Sequence, residues 1–563
     1  MIPSIADVDA ALTAPGQLFE IDELEIGGVA TRVWKHAPPS LRGVLELSRL
    51  HGDKTFLVYE DERTTFDEHY RQVAALAGRL ATDFGVEKGD RVAIAMRNYP
   101  EWSLAFWAAA VAGAIVVPLN AWWTAAELEY GLSDSGSRVV FVDGERLERL
   151  GPRAGMIVAR PEPGQSASRV DRFEEVLGAD WRTVEPEVPA VTLEPEDDAT
   201  IFYTSGTTGQ PKGALGTHRN ICGNLWSLAF GQARASMRAG REATGEGLGT
   251  GAQNAYLLSV PFFHATGCHS VLVANTAAGG KLVIMHKWDP ERALELIERE
   301  RITIFGGVPA MVWQVLESPD FAKRDISSVK NISYGGAPAP PELVRRIEEL
   351  FPGRVPSNGY GLTETSSVTT LNSGQDYVTH PDSVGTAVPV VSLKVVDELG
   401  NDLPAGSIGE LWIKGPNVVK GYWNKPAPTA ETFTGGWLHT GDVARIDDEG
   451  FVYIVDRAKD MVIRGGENVY CVEVEAALFE HPAVTDAAVI GVPHPVLGEE
   501  VGAIVVLKPG ARATTEELQT HVRARLAGFN VPTHVWFRDE PLPRNPAGKI
   551  LKRDLRDEVL GDR

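Results

Sequence analysis

The sequence predicts an α/β protein with a large N-terminal domain of helix-flanked sheets, a small barrel-like β subdomain, and a small α+β unit at the C-terminus. Three observations carry this. Residues 41–200 alternate helical and strand-like patterns, which implies parallel sheets with helices on their faces. Residues 384–425 change to short apolar runs between Gly and Pro turns, an antiparallel pattern. The residues after 460 run through their own cycle of helices and strands. With 563 residues, 43% of them hydrophobic, the chain can bury a large core and form more than one domain.

Residues 1–20 lack a basic stretch followed by an apolar one, so no signal peptide is read. Residues 66–84 have helical periodicity, 91–96 read as a strand, 99–112 as a helix and 139–142 as a strand. The longest apolar run, 104–117, is too short to span a bilayer and contains Gly113. It reads as a buried helix turning into a buried strand over 114–119. Residues 158–198, rich in Pro, Glu and Asp, read as a surface connection. Residues 231–251, rich in Gly, Ala and Arg, read as a mobile surface loop, since no strand precedes their glycines as a dinucleotide fingerprint requires. Strands are expected over 256–260, 302–305 and 331–334, and Pro340 and Pro341 suit the first turn of a helix. Short strands are expected over 385–396, 409–414 and 421–423. In the last unit, 472–479 reads as a helix stopped before Pro482, and 484–492, 501–507 and 535–537 read as strands. Thr514 and Glu517 form a capping box for a helix to 526.

The formal charge of −22 and pI near 5.1 argue against nucleic acid or an anionic membrane surface as a main partner. An anionic substrate must then be held by local donors. Cys222, Cys268 and Cys471 have no CxxC spacing, which disfavours a disulfide framework or a zinc site. His264, Cys268 and His269 lie close in sequence, but no further ligand types cluster with them. With no signal peptide, no span and no peroxisomal address at the C-terminus, the expected location is cytoplasmic.

Three motifs carry chemistry. Tyr203-Thr-Ser-Gly-Thr-Thr-Gly-Gln-Pro-Lys-Gly213 follows a strand end at 200–202 and precedes Thr217, which can cap a helix from His218. Hydroxyls, glycines and one lysine in a turn suit phosphate oxygens. The order is not that of a Walker A loop, because Lys212 does not directly follow a Gly and no Ser or Thr follows it. The second motif is Asn358-Gly-Tyr-Gly-Leu-Thr-Glu364, and the third is Leu542-Pro-Arg-Asn-Pro-Ala-Gly-Lys549-Ile.

Together these motifs resemble those of the adenylate-forming superfamily, which includes acyl-CoA synthetases, luciferases and peptide-synthetase adenylation domains. The resemblance runs from about residue 40 to 556. It implies that Thr204, Ser205, Gly206, Thr207, Thr208, Gly209 and Lys212 hold the ATP phosphates. Gly335, Gly336 and Ala337 would border adenine, and Tyr360 within Asn358-Gly359-Tyr360-Gly361 would stack on it. Thr363 would meet the α-phosphate, and Glu364, with Thr204, would hold Mg²⁺. Asp442 in Gly436-Trp-Leu-His-Thr-Gly-Asp442 would bind the ribose hydroxyls, assisted by Arg457. Lys549 would be the adenylation lysine.

His264, in Pro261-Phe-Phe-His264-Ala-Thr-Gly267, resembles the residue that the family sets beside the carboxylate, though a purely structural histidine stays open. The acid pocket is expected at His264, Val308 and Gly335. The resemblance also places a hinge at 457–459 with Lys459 as pivot, between an adenylation domain over 1–456 and a mobile C-terminal domain over 460–563. After rotation, Gly465, Gly466 and Glu467 would line a pantetheine tunnel.

The implied activity is ATP-dependent conversion of a carboxylic acid to an acyl-adenylate, then to an acyl-CoA. Phe263 is followed by His264 where amino-acid-activating relatives carry Asp, which disfavours an amino acid. The pattern looks most like medium- or long-chain fatty acyl-CoA ligases, with aryl or alicyclic acids still open. No carrier-protein sequence follows residue 563, so a free-standing ligase is expected, with a homodimer also open. Transfer to an amine or a carrier protein is the alternative to CoA. A non-enzymatic acyl or nucleotide sensor is disfavoured by Lys212, Glu364 and Lys549.

Overall fold

Two large sheets organise the N-terminal part, and a single helix explains how they meet. Pro100–Val111 is apolar on all sides, and its residues 102–111 are buried. It packs against Arg91–Ala95 and Ile115–Pro118 of one sheet and Thr55–Tyr59 of the other. A helix sandwiched in this way needs no polar face. The expected helix-then-strand reading of the longest apolar run is this element. The computed structural model describes residues 3–165, 169–204, 210–241, 252–336, 339, 341–545 and 548–561.

Among the described residues the first sheet has seven strands in the order Lys212–Thr217, Asp198–Thr204, Ile115–Pro118, Arg91–Ala95, Val139–Asp143, Met156–Ala159, Asp171–Arg172. The pairing of the first two is antiparallel and the others are parallel. The second sheet has nine strands, with parallel pairing through Lys281–Ile284, Ala255–Leu258, Ile304–Gly307, Asn331–Gly335 and Val355–Tyr360. Ligand sites in such sheets lie beyond the carboxyl ends of parallel strands. The phosphate motif, the turn before His264, Val308 and the Tyr360 motif all follow such ends.

A five-stranded antiparallel sheet follows, including Ile408–Lys414, Trp437–Ile446 and Val452–Arg457. The C-terminal unit has a separate five-stranded sheet around the hairpin Val484–His494 and Gly498–Leu507. Alternate residues of that hairpin fill two cores. Ala487, Val489, Ala503 and Val505 face one, and Ala488, Ile490, Ile504 and Val506 face the other with Leu542 and Leu555. The period of two fits a sheet covered on both faces. His534–Arg538 joins it as a parallel strand.

Several expectations need correction. The stretch 231–251 is not a surface loop throughout: helix His218–Arg238 continues through its first eight residues. Gly231 serves close packing, since a Cβ there would lie 2.3 Å from Leu371 Cδ1. Buried Arg234 pairs with Asp9 at 2.8 Å, and Arg238 pairs with Asp376. Residues 242–251 lie outside the described residues. The run 421–423 is not a strand but an irregular segment beside Lys212–Thr217, tied by Leu215 N–H to Gly421 O (2.9 Å) and Trp423 N–H to Gly213 O (2.8 Å). The connection 158–198 holds the end of the buried strand Met156–Ala159 and a short helix, Phe173–Leu177. The helix expected to reach 526 ends at Arg523. The antiparallel pair Ile21–Ile26 and Val29–Trp34 had no counterpart in the sequence reading. No described helix is long and apolar enough to cross a membrane.

Candidate active site

Asp442 and Arg457 face each other across adjacent strands of the antiparallel sheet. Arg457 Nε lies 2.8 Å from Asp442 Oδ1, and the Tyr360 hydroxyl donates to Asp442 Oδ2 at 2.6 Å. The carboxylate is buried, and each oxygen keeps a second lone pair for a ligand hydroxyl. Burial and Asp442 together hold the Tyr360 hydroxyl well above its ordinary pKa, so it stays a donor.

Glu364 sits in the one-turn helix Thr363–Thr365 just past Tyr360. The Tyr422 hydroxyl donates to Glu364 Oε1 at 2.9 Å, and Lys212 Nζ lies 4.8 Å from the centre of the Tyr422 ring. The Thr204 hydroxyl donates to Lys212 O at 3.3 Å. The turn beyond Glu364 is strained and tight. Ser366 and Ser367 have φ of 53° and 108°, and a Cβ on Gly361 would lie 1.4 Å from Ser367 O. Gly361 therefore cannot carry a side chain.

Lys549 joins this group from the C-terminal unit. It stands near Arg457, Asp442, Glu364 and Lys459. The cleft walls desolvate its ammonium and Arg457 and Lys459 repel it, while Asp442 and Glu364 oppose them, leaving its pKa at about 8. Lys549 is nonetheless an exposed residue, which weakens the desolvation. His264 lies within reach of the same charge: burial and then Lys549 push its pKa down to about 4, so it is neutral. Its Nε2 is buried and has no hydrogen-bond partner among the described residues.

The turn carrying His264 is held by Asn98, whose amide accepts from Phe262 N–H (2.9 Å) and donates to Val260 O (3.0 Å). It leads into the π-helix Thr266–Val273, a form enriched at functional sites. His269 in that helix bonds Ser366 O through Nδ1 at 3.1 Å, a packing role. Among the described residues no cluster of three or more His, Cys, Asp or Glu could hold a metal ion.

Thr204, Lys212, Tyr360, Glu364, Asp442, Arg457 and Lys549 are thus linked by direct contacts or mutual charge. Gly335, Gly336, Asn358, Gly359 and Thr363 sit on the adjoining strand ends and turns. A Cβ on Gly335 would lie 2.4 Å from Gly359 O, so this glycine lets two strands pair closely and cannot serve as a place to narrow the acid pocket by a larger side chain. Val308 is buried at the start of helix Pro309–Glu317. Gly465, Gly466 and Glu467 form the exposed turn of the hairpin Val462–Val469, away from these contacts. Ser205, Gly206, Thr207, Thr208, Gly209 and Ala337 lie outside the described residues. The sequence reading missed Tyr422, Asn98, Arg544 and Asn545. Arg544 and Asn545 could have been found, since they lie inside the quoted lysine motif.

A family model described as AMP-binding enzyme matches residues 46–423, and one described as AMP-binding enzyme C-terminal domain matches residues 473–549. The chain is 35% identical over 539 residues to a long-chain-fatty-acid–CoA ligase of Bacillus subtilis (strain 168), covering 90% of this chain and 92% of that protein. It is also 35% identical over 492 residues to a feruloyl-CoA synthase of Amycolatopsis sp, covering 87% and 93%. The solved amide bond synthetase McbA from Marinactinospora thermotolerans superposes with a TM-score of 0.78 at 27% identity, covering 92% of this chain and 99% of that one.

Proposed function

The chain belongs to the AMP-binding enzyme family, in the acyl-CoA synthetase branch of the adenylate-forming superfamily, and from that premise we propose that it converts a medium- or long-chain fatty acid to its CoA thioester through an acyl-adenylate. The observation that carries this reading is Lys549, brought by the C-terminal unit to the Tyr360–Asp442–Arg457 cluster and Glu364. A carboxylate oxygen attacks the α-phosphorus of ATP, the bond to the bridging oxygen breaks, and pyrophosphate leaves. Both reactants are anions, so the residues act mainly by positioning and neutralising charge. Lys212, with Thr204 and the hydroxyls of Ser205 and Thr207, holds the β- and γ-phosphates. Asp442 orients the ribose, steadied by Arg457, and Tyr360 lies against the base, with Gly335, Gly336 and Ala337 as further adenine-binding residues. Thr363 meets the α-phosphate, and Lys549 the oxygens between carboxylate and phosphorus.

The donor set fits Mg²⁺. One carboxylate, Glu364, held by Tyr422 and close to the Thr204 segment, suits an ion that takes most of its ligands from phosphates and water. Mg²⁺ bound there would neutralise phosphate charge. In the second step a thiolate attacks the acyl carbonyl and AMP leaves. We assign Lys459 as the pivot between a domain over 1–456 and one over 460–563, with the turn Gly465-Gly466-Glu467 turning inward for the thiol. His264 and Val308 form the acid wall.

A fatty acid is favoured by the buried apolar Val308 and by the Bacillus relative's name. A second reading, an aryl acid or an amine acceptor, is favoured by the equal identity to the feruloyl-CoA synthase and by the McbA likeness. Pyrophosphate release across fatty, aryl and alicyclic acids, with CoA, an amine or neither, separates them. AMP and pyrophosphate formed with fatty acids, and thioester formed only with CoA, is the expected result. ADP and phosphate as products would sink the proposal.

A further inference from the structure

Lys549 is carried on a turn that the C-terminal unit braces internally. Asn545 N–H donates to Lys549 O at 2.9 Å, and Lys549 N–H donates to Asn545 Oδ1 at 3.0 Å. Arg544 Nη1 donates to Gly548 O at 2.8 Å, while its Nη2 meets both carboxylate oxygens of Asp486 at 2.7 and 2.9 Å. These contacts tie Gly548 and Lys549 to Arg544 and Asn545 within the C-terminal unit. They do not determine where the turn docks.

The docking point is Gly548. Its φ is +76°, and a Cβ there would lie 2.4 Å from Val308 Cγ2 and 3.0 Å from Val308 Cβ and Cγ1. Val308 is 4% exposed and fixed in place: it is the N-cap residue of helix Pro309–Glu317 and follows Gly307, whose φ is +138°. The lysine turn and the start of this helix therefore approach at a distance that a side chain at 548 would prevent. Nothing in the nucleotide cluster itself requires such an approach.

We infer that Val308 is the seat on which the Lys549 turn closes, and hence a positioning residue for adenylation as well as part of the acid wall. This rests on the reading of Lys549 as the adenylation lysine. An acid that displaces the Val308 side chain presses on the turn carrying Lys549, so the fit of the acid sets the placement of the lysine. A displacement near 1 Å is enough to matter for a group that must meet a reacting centre. Acids that leave Val308 in place are activated, and those that push it out bind without being adenylated efficiently.

The test is a double-mutant cycle with an activity-independent arm. Gly548→Ala should lower kcat for pyrophosphate release by roughly 10²-fold, with the ATP KM and the melting temperature close to wild type. Val308→Gly in the Gly548→Ala background should recover at least about tenfold of that loss, because the overlap with Val308 is removed while the backbone strain at 548 remains. Separately, the Val308→Cys/Gly548→Cys pair should form an intramolecular cross-link on oxidation of the resting enzyme. Lack of rescue, a Gly548→Ala enzyme within twofold of wild type, or two freely titratable thiols in the cysteine pair would each overturn the seat. If the cross-link forms but the wild type adenylates no acid, the functional reading has failed and not the contact.

Discussion

Asp442→Ala is the sharpest perturbation of the nucleotide site. It removes the acceptor for the Tyr360 hydroxyl at 2.6 Å and the partner of Arg457 at 2.8 Å, and the carboxylate it deletes is 2% exposed. The Arg457 side chain is 36% exposed, so water re-solvates much of it and the structural penalty stays near about 1–3 kcal/mol. For the ligand, a hydrogen bond to a charged acceptor is worth about 1.5–3 kcal/mol. Loss of one or two ribose contacts then predicts a fall in kcat/KM for ATP of between about 10- and 10⁴-fold. The assay is initial-rate pyrophosphate release with ATP varied at saturating acid, repeated with acid varied at saturating ATP. Asp442→Asn, which keeps the shape and one acceptor oxygen but loses the charge and turns the other oxygen into a donor, should fall between the two enzymes. A melting curve separates catalytic loss from unfolding. Unchanged KM and kcat/KM for ATP would refute the ribose assignment.

Three further outcomes follow from the same geometry. Lys549→Ala should cut adenylation by roughly 10²-fold or more while largely sparing thioester formation from supplied acyl-adenylate, and Lys459→Pro, which fixes φ, should do the reverse; equal loss of both steps in either variant would refute the division. The cationic form of Lys549 is the one that neutralises phosphate, and with its pKa lowered to about 8 the adenylation rate should fall as pH rises through about 8, whereas Lys549→Arg should show no such limb in a pH–rate profile. Asp456 is 2% exposed, and burial, opposed by Lys552, raises its pKa from 3.8 to about 6, so the folded state holds a proton that the unfolded chain has lost between about pH 4 and 6. Its contribution should make wild type less stable relative to Asp456→Asn by about 2 kcal/mol from pH 4 to pH 7, read from paired denaturation curves, and curves that stay parallel with pH would count against it.

The fold was legible where one physical cause acts alone. Residues 104–117 are apolar on every side because the helix there lies between the two sheets and the strand after it is buried inside one of them, and the sequence carries that directly. Thr217 and Thr514 cap their helices as read, with Asn220 and Glu517 completing the capping boxes, because capping is decided within four residues. The reading failed where composition stood in for contact. Gly231 and the arginines after it read as a loop, yet Leu371, Asp9 and Asp376, all distant in sequence, turn them into a packed helix. The site follows the same rule. Tyr360, Glu364, Asp442 and Lys549 belong to ordered motifs and were found. Tyr422 was not, because what makes it useful is an irregular segment laid beside the strand that begins at Lys212. Val308 was singled out for the acid pocket, but its contact with Gly548 joins residues from two separate units and leaves no trace in either stretch.

A chain of net charge −22 that handles anions must reverse that field locally, and the site shows how. Lys212, Arg457, Lys459 and Lys549 approach three carboxylates, Asp442, Glu364 and Asp460, so cations outnumber anions where the phosphates are proposed to lie. Of these cations Lys549 arrives from the C-terminal unit, on a turn braced by Arg544 and Asp486. Arg457 and Lys459 repel it, and that repulsion contributes to its lowered pKa. Asp442 and Glu364 attract it in turn, so the charges around the site largely offset one another, and closure of the turn on Val308 would be favoured by a bound anion. Triphosphate supplies it, and departure of pyrophosphate removes most of it. Under the proposed function, docking and release of Lys549 would then follow the charge of the bound nucleotide, and one site would serve first the phosphorus and then the thiol.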